Sequence, residues 1–99
     1  MNFMTMLDIQ PSATLRRQDV VAMNTNMILS NSGLMKKDLA KAMGLSPQSM
    51  ASRLQSKADW TIDETCAAAD FFGVPLMALL DENLTPAKSH GIYKKPPFR

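Results

Sequence analysis

The chain is expected to be all-α, a compact bundle of five short helices, and three observations predict this. Only six aromatic residues (four Phe, one Trp, one Tyr) and few β-branched ones leave little material for a sheet. Met, Ala, Leu and Lys, all good helix formers, dominate instead. Helix stop and start signals also recur at short intervals along the 99 residues. A hydrophobic fraction of 45% excludes global disorder. No apolar run approaches the ~20 residues of a membrane span. A chain of this length makes one domain, which can bury a core without disulfide or metal.

Residues 1–11 carry Phe3, Met4, Met6, Leu7 and Ile9 ahead of Pro11, and read as an extended N-terminal arm. Pro11-Ser12 opens the first helix, which runs to about Asn31 with Val20, Val21, Met27 and Ile28 on its apolar face and closes at Ser32-Gly33. The second helix spans about 36–43. Ala40 is small where another helix must approach, and Gly44 supplies the left-handed residue that ends the helix cheaply. Leu45 plugs the angle. Ser46-Pro47 then restarts the chain as an N-cap followed by proline at the first helical position. Two helices separated by about three residues are the helix-turn-helix signature.

The third helix, about 47–55, is asymmetric. At 100° per residue Pro47, Met50, Ala51 and Leu54 share roughly a third of the circumference and are expected to face the core. Gln48, Ser49, Ser52 and Arg53 occupy the opposite arc, with the side-chain types that hydrogen-bond base edges in a DNA major groove. Trp60 is expected to wedge the corner before the fourth helix. That helix begins at the capping box Thr61-Ile62-Asp63-Glu64 and ends at Gly73. A fifth short helix follows Val74-Pro75 to about Asp81, with Leu76, Leu79 and Leu80 inward. The domain thus covers 12–84. Residues 85–99 form a basic, proline-containing C-terminal tail without periodicity.

Charge is segregated more than the net +2 suggests. From Lys36 to Lys57 five basic residues face one acid, while Asp59 to Glu82 holds six acids and no Lys or Arg. Lys88, Lys94, Lys95 and Arg99 make the tail basic again. A polyanion is drawn to the two basic segments and repelled by the acidic one, though solvated surface faces explain such blocks equally well.

The succession SGLMKKDLAKAMGLSPQSM, RLQSKADWTIDE, AAADFFGV and PLMALL resembles the Cro/CI-type, or lambda-repressor-like, helix-turn-helix family over about residues 20–82. Within it, the spacing is similar to that of small temperate-phage repressors. In these a Leu-x-Gly-Lys-x-x-Phe/Trp-Thr segment follows the recognition helix. Here that segment is Leu54 to Thr61, with Ser56 in place of the usual glycine. The resemblance implies a sequence-specific double-stranded DNA-binding transcriptional regulator, a phage or prophage repressor, acting as a possible homodimer on a near-palindromic site. Met35 replaces the Ser or Thr cap common in the family. Lys36 stands where a phosphate-touching glutamine is often found, and Pro47 where some members place a base-reading glutamine.

The expected base contacts are therefore Gln48, Ser49, Ser52 and Arg53, and the expected phosphate contacts Lys36, Lys37 and Lys57. No catalytic residues, metal site, cofactor, small-molecule substrate or membrane association are expected: Cys66 and His90 are isolated in sequence, and neither a nucleophile-base arrangement nor a phosphate-cradling glycine loop is present. An N-terminus without a signal peptide, together with a lone cysteine, points to the cytoplasm. Two other readings fit the same residues. One is a protein-interaction module of antirepressor or antitoxin type, using Phe71, Met77 and the arm. The other is an architectural DNA binder that relies on its basic tail.

Overall fold

Local signals set most helix ends, and the helices follow from them. In the computed structural model, which describes residues 16–91, six helices run in order: α1 (Arg17–Ser32), α2 (Lys36–Met43), α3 (Pro47–Leu54), α4 (Ile62–Phe72), α5 (Leu76–Leu79) and α6 (Pro86–Gly91). The described residues contain no strand. None of their helices is long and apolar enough to cross a membrane.

Gly44 takes φ 72°, a conformation that costs other residues strain. Its amide donates to the Lys41 carbonyl at 3.1 Å and the Leu45 amide to the Ala40 carbonyl at 2.8 Å, the paired bonds of a Schellman cap. Two residues later the Ser46 hydroxyl accepts from the Ser49 amide at 3.1 Å, with Pro47 at the first position of α3. The α2–turn–α3 unit is thus closed at both sides of the turn by its own residues, an arrangement compatible with a helix-turn-helix. At α4 the capping box is complete: Glu64 N donates to Thr61 Oγ1 at 3.0 Å, and Thr61 N to Glu64 Oε1 at 3.1 Å.

The core gathers Val21, Ile28 and Leu29 of α1, Leu39, Ala40 and Met43 of α2, Met50 and Leu54 of α3, and Ala68 and Ala69 of α4. Trp60, Val74, Ala78 and Leu79 complete it. Small residues on α4 let α2 and α5 approach it closely, and burial of each large aliphatic side chain contributes about 1.5–3 kcal/mol. Phe71 and Phe72 both pack against this core as partly buried rings, edge to face with centroids 5.5 Å apart.

Four expectations need correction. The first described helix begins at Arg17, not at Pro11-Ser12. Arg16 is extended (φ −75°, ψ 152°), and Asp19 puts an acid in the first turn, where the helix dipole favours one. Residues 1–15, the proposed arm among them, lie outside the described residues. Secondly, α5 is a single turn that ends at Leu79, and of Leu76, Leu79 and Leu80, all expected inward to about Asp81, only Leu79 is fully buried.

Thirdly, the tail starts with a sixth helix. Thr85 Oγ1 accepts from Lys88 N at 3.1 Å, Pro86 takes the first position, and Lys88 Nζ pairs with Asp81 at 2.8 Å. Thr85-Pro86 is thus a helix start of the same kind as Ser46-Pro47. Residues 92–99 lie outside the described region. Lastly, Pro47 and Ala51 face solvent and not the core.

Ser56 is the one non-glycine residue with positive φ among the described residues, at 60°. Its amide donates to Arg53 O at 3.2 Å and that of Lys57 to Ser52 O at 2.8 Å, so α3 ends in the same Schellman geometry as α2, but without glycine. Ser56→Gly should therefore stabilise the fold by about 1 kcal/mol, raising the thermal midpoint by roughly 4–8 °C. An unchanged or lower midpoint would contradict strain at this position.

Candidate nucleic-acid interface

Helix α3 spans only two turns, so its orientation depends on what holds its ends. Its last carbonyls are taken up by side chains distant in sequence. Asn26 of α1 donates from Nδ2 to Leu54 O at 2.9 Å, and Trp60 donates from Nε1 to Arg53 O at 3.2 Å. Trp60 is 6% exposed, so it closes the α3–α4 corner and is not available for stacking on a nucleotide. Gln18 of α1 fastens the same corner, its side-chain oxygen accepting from the Trp60 amide and its Nε2 donating to the Trp60 carbonyl. Asn24, between Gln18 and Asn26 on α1, does the same for the end of α5, donating from Nδ2 to Leu79 O at 3.0 Å and Asp81 O at 2.8 Å. Three polar side chains of α1, buried Asn24 and half-buried Gln18 and Asn26, thus clamp backbone groups at the ends of other elements.

The N-terminal turn of α1 adds charge to this clamp. Arg16 bonds both carboxylate oxygens of Asp19 at 3.3 Å and lies 3.8 Å from Asp59. The Arg16 guanidinium holds the Asp19 carboxyl below its ordinary range, and the Ser56 hydroxyl adds a hydrogen bond in the same direction.

Arg53 departs from the expectation that it would read a base. Its Nε and Nη2 donate to the two carboxylate oxygens of Glu64 at 3.0 and 3.1 Å, with the side chains 18% and 13% exposed. This bidentate pair ties the last turn of α3 to the first turn of α4. Glu64 serves the α4 capping box with the same carboxylate. Burial raises the Glu64 pKa, but the hydrogen bonds from Arg53 and from the Thr61 amide outweigh it and hold the carboxyl below its usual value. Ser49 is also engaged, its hydroxyl 3.1 Å from that of Ser46, and is half-buried.

The outward row of α3 consists of Pro47, Gln48, Ala51 and Gln55, with Ser52 half-exposed at its edge. Gln48 and Ser52 are the two expected readers that remain available. Ala51 and Gln55 are additions. They could have been found by centring the helix on Met50 and Leu54 alone, the two α3 residues that are buried. All residues in the outward row are uncharged.

Lysines flank it. Lys36 and Lys37, exposed in the first turn of α2, and exposed Lys57 after α3 have no ion-pair partner among the described residues. Met35 offers α2 no side-chain cap, whereas α3 and α4 are capped by Ser46 and Thr61. The α2 N-terminus therefore keeps its first amides and its positive dipole end open towards anions. Between the N-terminal halves of α2 and α3 lies a groove of about 250 Å³ lined by Lys36, Lys37, Ala40, Pro47, Met50 and Ala51. No cluster of three His, Cys, Asp or Glu side chains able to hold a metal ion occurs among the described residues.

Comparison with known proteins returned no match: no family model, no curated protein and no solved structure is significantly similar to this chain.

The Glu64 pKa gives a pH dependence of known sign. Because its folded value is depressed, the stability it contributes is complete above the unfolded value of about 4.3 and is lost as pH falls through the folded value. Glu64→Gln should lower the urea midpoint at pH 7 and flatten its decline below pH 5, where wild type keeps losing stability. Parallel pH curves for the two proteins would refute this.

Proposed function

We propose that this protein is a sequence-specific double-stranded DNA-binding regulator of transcription, acting in the bacterial cytoplasm as a phage or prophage repressor. The observation that carries the proposal is the face of α3: an uncharged row clamped at its C-terminal end by α1 and Trp60, and flanked by unpaired lysines. A rigidly held helix with a neutral polar face suits base reading, because each contact need not be ordered anew on binding. Lysines to either side suit the phosphates that fix register.

On this reading α3 lies in the major groove. Gln48 bonds a purine edge in bidentate fashion and Ser52 makes a shorter contact. Lys36, Lys37 and Lys57 bind phosphates, the first two aided by the uncapped α2 N-terminus. Arg53 and Ser49 serve instead to hold α3 in place. A homodimer would set two such helices ~34 Å apart, one turn of the duplex.

A second reading uses the fold as a protein-interaction module. It is favoured by the exposure of Ile62 (72%) and Met77 (68%), with Ile62 on the rim of a groove also lined by Val21, Trp60, Leu76 and Leu80. Tight capture of one protein with no duplex affinity would select it.

Binding-site selection from a random duplex library at near-physiological salt tests the DNA reading, since non-specific affinity is weak there. An enriched motif is expected, and its absence with folded protein would overturn the proposal. On the selected site Gln48→Ala should cost about 1–3 kcal/mol and relax preference at one position. Lys37→Ala should weaken binding to all sequences and reduce the slope of log affinity against log salt by about 1. Wild-type affinity in the first case, or an unchanged slope in the second, removes that residue from the interface.

A further inference from the structure

The groove between α2 and α3 has a chemistry that hydrogen-bonding readers do not use. Its floor is Met50, 2% exposed, and Ala40, 3% exposed. Exposed Pro47 and Ala51 line it from α3, and Lys36 and Lys37 line it from α2. Pro47 cannot donate from its backbone and Ala51 has only a methyl group, so this side of α3 presents carbon next to Gln48, the first polar reader. Apolar surface held open beside two unpaired lysines fits an occupant that is apolar at its tip and anionic around it. In duplex DNA that description belongs to the C5-methyl group of thymine, which projects into the major groove between the phosphate backbones.

We infer that the groove formed by Ala40, Pro47, Met50 and Ala51 is a thymine-methyl site, with Lys36 and Lys37 gripping the neighbouring phosphates. The inference rests on the DNA reading proposed above and adds a specificity-determining feature to it: Pro47 and Ala51 select thymine by burying its methyl group. Pro47 is then a reader by apolar contact. Adjacency to Gln48 places this thymine within one base pair of the position that Gln48 reads.

The test uses the full chain and the duplex obtained by selection, with each thymine replaced in turn by deoxyuridine, which pairs identically but lacks the methyl group. Removal of the methyl at one position of the half-site should weaken binding about four-fold, the equivalent of one buried methyl group at about 0.8 kcal/mol. Ala51→Ser, a change at an exposed position that leaves the core untouched, should reduce the thymine-to-uracil ratio at that position towards one. Substitution at thymines elsewhere in the site should leave affinity unchanged. Tight binding that is insensitive to every thymine-to-uracil replacement would overturn the inference and leave the DNA reading standing. The same would follow from a sensitive thymine whose effect is unaltered by Ala51→Ser. Failure to bind any duplex would overturn both.

Discussion

The arrangement depends on how the short helix α3 is terminated. The end of a two-turn helix leaves its last carbonyls short of intrahelical partners, and in α3 donors from outside the helix supply part of what is missing. The Asn26 amide and the Trp60 indole meet two of them, and the Schellman turn through Ser56 meets another. Each contact is a modest hydrogen bond, yet leaving one of these buried groups unmade costs about 1–3 kcal/mol. Because the donors sit on α1 and at the α4 entrance, satisfying α3 also fixes its angle to both. Burial of Met50 and Leu54 draws α3 onto the core, and the hydrogen bonds decide which way it points.

Charge serves the same purpose on one side and a different one on the other. Towards α4, Arg53 and Glu64 form a partly buried bidentate pair and share the capping carboxylate, so the ion pair joins two helix ends. Such a pair contributes more through the geometry it imposes than through net stability, since desolvation offsets much of its attraction. Towards solvent, Lys36, Lys37 and Lys57 have no such partners among the described residues, and the outward row of α3 is uncharged. On the proposed reading this division separates residues that hold the reading helix from residues that meet the nucleic acid.

The local signals were legible because they act within one turn of chain. Ser46, Gly44, the Thr61–Glu64 box and Gly73 bond to residues three or four positions away, so their roles follow from spacing alone. The C-terminal end of α2 follows from Gly44 without adjustment. Thr85-Pro86 belongs to the same class of signal, but the surrounding lack of hydrophobic periodicity concealed it. The Arg53–Glu64 pair is illegible in sequence for the opposite reason: the partner lies 11 residues on, across a corner. A helical wheel treats an arginine on the polar arc as solvated, and only the chain's turn at the α3–α4 corner brings the Glu64 carboxylate to it. The same wheel, widened to include every apolar residue, turned Pro47 and Ala51 inward.

The sequence by itself therefore determined the all-helical class, the order and ends of the middle helices, and the core partners Met50, Leu54 and Trp60. These rest on propensity, capping and burial, all readable from residue type and short spacing. The tertiary structure decided which arc of α3 reaches solvent, which of its polar side chains are already engaged, and how its end is held. Those outcomes depend on Gln18, Asn24 and Asn26 meeting backbone groups 28 to 57 residues away. Contacts at that separation leave no periodic trace, because hydrogen-bond donors on α1 look the same in sequence whether they face water or a helix end.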